Sequence, residues 1–260
     1  MILTHLQEEG LRIAVARHKA KEKYTVISGY AGAGKSTLVR FIIDALDVAE
    51  DRVCYTAFTG KATEVLRKKG NKNACTLHRL LYEHVPLAAG GFFRKPKPSL
   101  NYDIIVVDEV SMVPKEMMDL LFTHQVYVIC LGDPFQLPCI NKEEDNHLLD
   151  HPHIFLTEIM RQAQESEIIR LTMKIRAMED IGNNYNGQEV KILPANQLNT
   201  GMLQWGDQVL VATNAKRQMI NDQMRMLAGR GKEPEDGDKL ICLRNYWDSG
   251  SEQEDTLVNG

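Results

Sequence analysis

A glycine-rich segment places the strongest constraint on the fold of this chain. The segment is Gly29-Tyr-Ala-Gly-Ala-Gly34-Lys35-Ser36-Thr37, and it stands between an apolar run at residues 24–28 and a helix-like stretch at residues 38–46. Glycines let successive backbone N–H groups turn towards a polyphosphate, because a Cβ at these positions would block the approach. The positive end of the following helix dipole favours the same anion. The order strand, loop, helix therefore predicts a phosphate-binding loop in an α/β fold.

Two side chains of this segment have a defined chemistry in such a loop. Lys35 is expected to reach the β- and γ-phosphates of ATP, and the Ser36 hydroxyl is expected to bind Mg²⁺. A flexible glycine turn without a nucleotide is the alternative, which the flanking strand and helix disfavour. The loop does not indicate what the ATP is used for. The residues predicted to contact the nucleotide are Gly29, Ala31, Gly32, Ala33, Gly34, Lys35, Ser36 and Thr37.

A second apolar run ends in two adjacent carboxylates. Residues 104–107 are Ile-Ile-Val-Val, followed by Asp108 and Glu109, and such a run is typical of a parallel strand that is buried on both faces. Charges at the tip of a buried strand need a partner, and Mg²⁺ suits a carboxylate. We expect Asp108 to hold the metal through water. Glu109 is expected to be the base that deprotonates the water attacking the γ-phosphate.

A third apolar run, at residues 126–131, leads into the polar turn that contains Gln136. Because the carboxyl ends of parallel strands share one edge of a sheet, Gln136 is expected to contact the γ-phosphate and to sense its presence. A further short strand is predicted at residues 52–57, followed by a helix that starts near residues 58–62. The repeated order of strand, polar turn and helix predicts a parallel sheet.

Composition limits the broad class of protein. A chain of 260 residues suits one large or two modest domains, and its formal charge of −4 excludes a generally basic coat for nucleic acid while allowing a local basic groove. No apolar run approaches the length of a membrane span. The five cysteines are scattered without a Cys-x-x-Cys pair, so we expect reduced thiols. We expect a monomer in the cytoplasm of a bacterial cell or an infected host cell, without contact to a membrane.

A polar stretch at residues 141–146 predicts a domain boundary, with an ATP-binding domain at 1–145 and a second domain at 146–260. In the first domain, residues of about 83–101 change character, and Gly90-Gly91 suggests the tip of a hairpin. The adjacent Phe92 and Phe93 either stack on bases or are tucked inwards. The elements predicted in the second domain are strands at 154–156, 190–193, 209–212 and 239–243, a helix at 165–178 with its core face at Ile168, Ile169, Leu171, Ile175 and Met178, a loop at 182–187 and a helix ending near 227.

Two polar residues are ambiguous when they are considered alone. Gln7 lies near the start of a predicted helix at residues 3–23 and would be a surface glutamine. His78 lies beside apolar residues, where a histidine is more often a hydrogen-bonded structural residue than a functional one.

Taken together, the motifs resemble those of superfamily 1B DNA helicases, in particular the RecD-like group (exodeoxyribonuclease V α-subunit-like) and the Dda-like group. The similarity covers essentially the whole chain, and the order of its motifs is specific. The resemblance implies a RecA-like parallel-sheet domain with a small hairpin insertion, followed by an incomplete second RecA-like domain. The segments that carry it are Gln7, Gly29–Thr37, Ala57–Ala62, Thr76–His78, Val107–Met112, Gly132–Pro138 and Arg161.

The resemblance also implies roles for individual residues. Gln7 resembles the glutamine that reads adenine, which reverses the expectation of a surface residue, and Arg161 resembles the arginine that reaches the γ-phosphate from the second domain. Phe58 replaces the proline that is usual in its motif. Residues 83–101 occupy the place of a strand-separating hairpin. The residues that match DNA-contacting positions are Phe58, Thr59, Gly60, Lys61, Thr76, His78 and Asn214.

The activity implied by the resemblance is ATP-dependent movement along single-stranded DNA in the 5′-to-3′ direction, with Mg²⁺ as cofactor and duplex junctions as substrates. Single-strand-binding, replication or nuclease proteins are expected partners. The family's last two motifs are missing, so the chain looks truncated at its C-terminus. Two alternatives remain: a nucleotide-gated single-stranded DNA-binding module without motor activity, and a helicase-like subunit of an exonuclease complex.

Overall fold

The computed structural model describes residues 3–86, 92–139, 141–158, 166–231, 233–238 and 240. These residues form two compact units, 3–158 and 166–240. None of the helices in these ranges combines the length and the apolar character needed to cross a membrane. The four cysteines in these ranges, Cys54, Cys75, Cys130 and Cys139, are free thiols.

The first unit is built on a six-stranded parallel sheet, which confirms the predicted fold. Its strands are β1 (Tyr24–Gly29), β2 (Val53–Ala57), β3 (Cys75–Thr76), β6 (Ile104–Asp108), β7 (Tyr127–Gly132) and β8 (Ile154–Leu156). They lie in the order β3-β2-β6-β7-β1-β8, and every neighbouring pair is parallel. The strands with chemistry predicted at their ends, β6, β7 and β1, are therefore direct neighbours.

Both faces of this sheet are buried, which explains the continuous apolar runs in the sequence. Along β6, Ile104 and Val106 pack into one core cluster, whereas Ile105 and Val107 pack into the cluster on the other face. Each fully buried side chain of this kind contributes about 1.5–3 kcal/mol. The covering helices are α1 (His5–Lys19), α2 (Lys35–Ala45), α3 (Gly60–Lys68), α4 (Leu77–Leu81) and α5 (Lys115–Phe122).

The predicted hairpin is present inside the first unit. Strands β4 (Tyr82–Pro86) and β5 (Phe92–Pro96) pair antiparallel, with Val85 opposite Phe93. Phe93 is 57% exposed and Val85 39% exposed, so of the two orientations considered for Phe93 the outward one is observed. The predicted tip at Gly90-Gly91 and the side chain of Phe92 lie outside the described residues.

The second unit differs from its sequence-based prediction. Its elements are α6 (Glu167–Arg176), β9 (Tyr185–Asn186), β10 (Lys191–Ile192), α7 (Thr200–Trp205) and α8 (Asn214–Leu227), and β9 pairs antiparallel with β10. The strand predicted at 209–212 is wrong, since these residues pair with no strand in the described ranges. The loop predicted at 182–187 contains β9, and only two residues of the strand predicted at 190–193 are extended. The strand predicted at 239–243 lies almost entirely outside the described residues.

The core face predicted for α6 is also wrong. Ile168 is 53% exposed, Ile175 50% and Met178 91%, and no residue of α6 is buried. The periodicity correctly predicts a helix, but the described part of this unit has no parallel sheet for the apolar face to pack on. The assignment of residues 146–260 to a second RecA-like domain, and the boundary near residue 145, stay predictions.

Candidate nucleotide-binding site

Three loops meet at the carboxyl edge of the parallel sheet. The glycine-rich loop follows β1, Asp108 and Glu109 end or follow β6, and a polar turn from Asp133 to Gln136 follows β7. Since β7 pairs with β1 on one side and with β6 on the other, these loops are adjacent. The fold therefore brings together the segments that the sequence predicts to bind a nucleotide.

Two glycines of the loop are required for different reasons. Gly34 is the N-cap of α2 with φ +80°, in the left-handed region, and a Cβ there would lie 2.3 Å from Nε2 of Gln7. At Gly29 a Cβ would lie 2.7 Å from the backbone oxygen of Leu156 in β8. The Tyr30 N–H also donates to this oxygen, at 3.3 Å. The loop is therefore held between α1 and β8.

Lys35 folds back over the start of the loop. Its Nζ donates hydrogen bonds to the carbonyl oxygens of Gly29 at 2.6 Å and Tyr30 at 3.2 Å. The ammonium group is thus held beside the backbone that would surround a phosphate. Ser36 lies in the first turn of α2 and is exposed, so its hydroxyl is accessible from the same edge.

Gln7 is buried against this loop, so the expectation of a surface glutamine from its sequence position alone is wrong. Its side chain is 2% exposed. Oε1 accepts from the Thr4 N–H at 3.0 Å in a capping box, and Nε2 donates to the oxygens of Ala33 at 3.4 Å and Gly34 at 3.5 Å. Gln7 therefore links the beginning of α1 to the glycine-rich loop, and its reading of adenine stays a proposal.

Glu109 has an environment that changes its proton affinity. Burial raises the pKa of its carboxyl above the ordinary value, and the negative charge of Asp108 raises it further. Lys35 opposes the shift and Asp133 adds to it. Glu109 also has φ +54°, and its N–H donates to Oδ1 of Asp108 at 3.0 Å. A carboxyl with a raised pKa is a better proton acceptor than an ordinary one.

Asp133 is a buried residue for which the sequence alone suggested no role. It is 1% exposed, its Oδ1 accepts from the Phe135 N–H at 3.0 Å, and its carbonyl oxygen accepts from the Gln136 N–H at 3.0 Å. It therefore shapes the turn that carries Gln136, whose side chain is exposed. The signal for Asp133 was available, because a carboxylate directly after a buried strand is the same pattern that identified Asp108.

The two segments predicted to contact DNA are neighbours. Ala57 at the end of β2 pairs with Thr76 at the end of β3, and the ring of Phe58 lies 5.5 Å from that of His78 between centroids. Burial lowers the pKa of His78, and the positive charge of Arg94 lowers it further, so the ring is neutral near neutral pH. These residues form an aromatic surface beside the sheet edge.

The remaining DNA-contact candidates have local structural roles or lie elsewhere. The hydroxyl of Thr59 caps α3 by accepting from the Ala62 N–H at 3.2 Å, and Gly60 begins that helix. Lys61 is exposed and lies 3.3 Å from a carboxylate oxygen of Glu64. Asn214 begins α8 in the second unit. Arg161 lies outside the described residues.

A protein-family model for an AAA domain matches residues 5–189. The chain belongs to the AAA_30 family of AAA domains. The match includes the glycine-rich loop, the carboxylates at the end of β6 and the turn after β7.

Comparison with individual proteins confirms the resemblance to RecD-like and Dda-like helicases. The chain is 32% identical over 170 residues to the ATP-dependent RecD2 DNA helicase of Deinococcus radiodurans, covering 64% of this chain and 23% of that protein. It is 33% identical over 154 residues to the ATP-dependent DNA helicase dda of phage T4, covering 55% and 34%. A Bacteroides Pif1 structure in complex with ADP-AlF4 has a TM-score of 0.49 and 22% identity, covering 95% of this chain and 59% of that chain. The AAA_30 chain therefore spans about a quarter to a third of the length of these two curated relatives.

The donor set of the site fits Mg²⁺. In the described ranges no group of three or more His, Cys, Asp or Glu side chains is arranged to hold a metal ion. Mg²⁺ bound with a nucleotide takes most of its ligands from phosphates and water and only one or two from the protein, so it needs no such cluster. The Ser36 hydroxyl and the Asp108 carboxylate, both at the carboxyl edge, are donors of the required kind.

Proposed function

We propose that this AAA domain is the ATP-hydrolysing part of a DNA helicase that moves along single-stranded DNA, with 5′-to-3′ polarity. The observation that carries the proposal is the register of β2 against β6, in which Ala57 pairs with Asp108. Phe58 and Glu109 therefore follow paired residues on neighbouring strands. This arrangement supports a direct connection between the chemistry at β6 and the DNA-contact surface at β2 and β3.

In this proposal each residue at the carboxyl edge has one task. Lys35 leaves its loop carbonyls and binds the β- and γ-phosphates, while Glu109 accepts a proton from the water that attacks the γ-phosphate. Ser36 and Asp108 hold Mg²⁺, which when bound supplies charge neutralisation to the phosphate oxygens. Gln136 contacts the γ-phosphate from the turn that Asp133 shapes.

Two further contacts complete the site in the proposal. Gln7 uses its remaining hydrogen-bonding capacity to read adenine, since an amide oxygen can accept a second hydrogen bond. Arg161 reaches the γ-phosphate and stabilises the charge that develops in the transition state. Both roles rest on the resemblance to the helicase family.

The DNA-contact surface explains how the chain would grip a strand without reading its sequence. The rings of Phe58 and His78 provide faces on which bases stack, and stacking tolerates any base. Lys61 adds a positive charge for the phosphate backbone. A change in the positions of Asp108 and Glu109 on ATP binding or hydrolysis would be transmitted to these rings through the pairing of β6 with β2.

The test measures phosphate release with and without single-stranded DNA, followed by strand displacement on forks with a 5′ or a 3′ tail. We expect DNA to stimulate hydrolysis, Lys35→Ala to abolish it and Glu109→Gln to reduce it by about a hundredfold or more while ATP still binds. Lys115→Ala, at an exposed position on α5 to which no role in the site is assigned, serves as the control. Hydrolysis by Glu109→Gln at the unsubstituted rate would refute the proposal, and displacement only from a 3′ tail would refute the polarity.

The second candidate is a nucleotide-gated single-stranded DNA-binding module. It is favoured by the second unit, in which Ile220 is the one buried hydrophobic side chain among residues 166–240 that the structure describes. A motor needs a second packed body that closes on the nucleotide, and this unit offers little core for one. DNA affinity that depends on ATP, without stimulation of hydrolysis by DNA, is the result expected for this candidate.

A further inference from the structure

A positively charged cleft lies outside the nucleotide site of the first unit. It has a volume of about 350 Å³ and lies where the chain enters β3 and approaches β6. Cys75 begins β3 and Tyr102 precedes β6, whereas the glycine-rich loop and the carboxylates follow the opposite ends of their strands. The cleft shares no lining residue with the nucleotide site. Its charged lining residues are Arg67, Lys72, Arg79 and Lys97.

The charge of this cleft is not balanced by its own lining. No aspartate or glutamate is among the described residues that line it. Like charges gathered in one concave site raise the local concentration of anions.

Two of the cations are held in place by the backbone. Arg67 Nε donates to the carbonyl oxygen of Ala74 at 2.9 Å, and Lys97 Nζ donates to that of Arg79 at 2.9 Å. A lysine ammonium has three N–H donors, so the bond to Arg79 positions the Lys97 ammonium without using up its donors. Cations that are already positioned lose less entropy when an anion binds.

The positive charges of the cleft affect the pKa of the Cys75 thiol. The pKa of Cys75 is lowered, first by its hydrogen bond with Cys54, whose sulfur lies 3.8 Å away, and then by the positive charges of Arg79, Lys97 and Arg67. Burial opposes the shift. The lowered pKa of Cys75 is therefore consistent with the positive charge of the side chains that line the cleft.

The cleft adjoins the surface predicted to contact DNA. Cys75 immediately precedes Thr76, and the Arg79 N–H donates to Oγ1 of Thr76 at 3.3 Å. Strand β3 has only two residues, so its ends are separated by about 7 Å. A DNA strand that contacts Thr76 and His78 would therefore lie within reach of the cleft.

We propose that this cleft binds a backbone phosphate of the DNA strand that contacts the Phe58–His78 surface, as an anchor separate from the ATP site. The proposal rests on the DNA binding proposed above. Free inorganic phosphate presents the same anionic oxygens as a phosphate of the DNA backbone. The experiment distinguishes these two ligands.

The first arm measures the affinity of the full chain for a fluorescent oligothymidylate over a range of salt concentrations. Lys72→Glu combined with Arg79→Glu is expected to weaken binding by about tenfold or more at low salt and to lower the salt slope by about 0.7 for each DNA phosphate that the variant no longer neutralises. Lys19→Glu combined with Lys23→Glu makes the same change of charge at exposed positions outside the cleft and is expected to alter affinity less than about twofold. Equal weakening by both pairs, or none by the first, would overturn the proposal.

The second arm uses Cys75 as a reporter. Peptide-level mass spectrometry follows its alkylation, which oligothymidylate is expected to slow in the unsubstituted chain but not in the Lys72→Glu, Arg79→Glu variant. Protection by millimolar inorganic phosphate without protection by oligothymidylate would overturn the assignment to DNA. The charge-preserving pair Lys72→Arg, Arg79→Lys is expected to keep both affinity and protection, and its failure to do so would count against a charge-based site.

The DNA affinities of the unsubstituted chain and of the cleft variant together separate the two proposals. A chain that binds no DNA would remove the proposed function and the anchor together. A chain that binds DNA with an affinity indifferent to the cleft substitutions would remove the anchor alone.

Discussion

Gln7 and Gly34 occupy adjoining space so tightly that a Cβ on Gly34 would lie 2.3 Å from Nε2 of the glutamine. The amide of Gln7 also donates to the carbonyl oxygen of the same glycine, at 3.5 Å. The first helix and the nucleotide loop are therefore fitted to each other, and a change on either side is transmitted to the other.

The first prediction concerns Gly34→Ala. The left-handed backbone at φ +80° costs a residue with a Cβ about 1–2 kcal/mol, and the contact with Gln7 adds to this cost. We expect a lower Tm, by roughly 2–4 °C for each kcal/mol in a chain of this size, and ATP binding that is weaker by about tenfold or more. Thermal denaturation and binding of a fluorescent ATP analogue measure the two effects.

Gly70→Ala is the matched control for that substitution. Gly70 has φ +95° but no atom within 4 Å of its added Cβ, so it carries the backbone cost without the contact. We expect a loss of stability with ATP affinity unchanged. A loss of ATP affinity similar to that of Gly34→Ala would contradict the contact with Gln7 as the cause.

The second prediction separates the two functions of Gln7. Thr4→Ala removes the helix cap alone and is expected to cost about 0.5–2 kcal/mol of unfolding free energy. Gln7→Ala keeps the bond from its backbone N–H to the Thr4 hydroxyl but removes the return bond from the Thr4 N–H and both bonds to the loop. The carbonyls of Ala33 and Gly34 then lack these donors, which is expected to cost about 1–3 kcal/mol. Urea denaturation measures both, and only Gln7→Ala is expected to weaken ATP binding. Equal effects of the two variants on ATP binding would argue against the adenine role.

The third prediction follows from the raised pKa of Glu109. A carboxyl whose pKa is higher in the folded chain than in the unfolded chain contributes stability at low pH, and this contribution is lost as pH rises through the folded value. Glu109→Gln is therefore expected to raise Tm above that pH and to change it little below. Tm measured across a pH series for both proteins tests the sign of this difference. An increase in the Tm of Glu109→Gln that is confined to acidic pH would contradict the prediction.

The same pKa governs hydrolysis. Because Glu109 must be ionised to accept a proton, the acid limb of the rate profile is expected above the ordinary glutamate range. Asp133→Asn removes a negative charge that raises the pKa of Glu109, so the limb is expected to move to lower pH. A limb that does not move would exclude electrostatic coupling between these two carboxyls.

The fourth prediction concerns Phe58→Ala and His78→Ala. Loss of a stacked ring costs about 1–3 kcal/mol per base, so single-stranded DNA affinity is expected to fall between roughly fivefold and a hundredfold. Since His78 is neutral, the salt slope of binding is expected to remain unchanged, in contrast to the cleft variant. Val65→Ala, at a 42% exposed position on α3, is the control, and a changed slope in His78→Ala would indicate a charged ring.

The strands of the first unit were predictable because burial on both faces produces a continuous apolar run in the sequence. A run such as Ile104 to Val107 has no polar interruption, and only a strand covered on both sides tolerates that. The position of Asp108 and Glu109 at the carboxyl edge then follows from the parallel arrangement. The need for glycine at Gly29 and Gly34 was likewise predictable from the position of the glycine-rich loop between a strand and a helix.

Other features depend on packing that no local pattern records. Gln7 reads as a surface residue because its burial arises from a loop that is distant in the sequence. The spacing of Ile168 and Ile175 predicts a helix correctly, but whether that face is buried depends on a partner surface. The strand expected at 209–212 failed for the same reason, since β-propensity acts only where a neighbouring strand is available.

The backbone contact between the nucleotide loop and Leu156 has a further consequence. The Tyr30 N–H is bonded to the last residue of β8, and Gly29 leaves no spare room against it. We therefore expect a loop that rearranges around a triphosphate to displace this strand end as well. The nucleotide loop and the end of strand β8 are thereby mechanically coupled through a single peptide carbonyl.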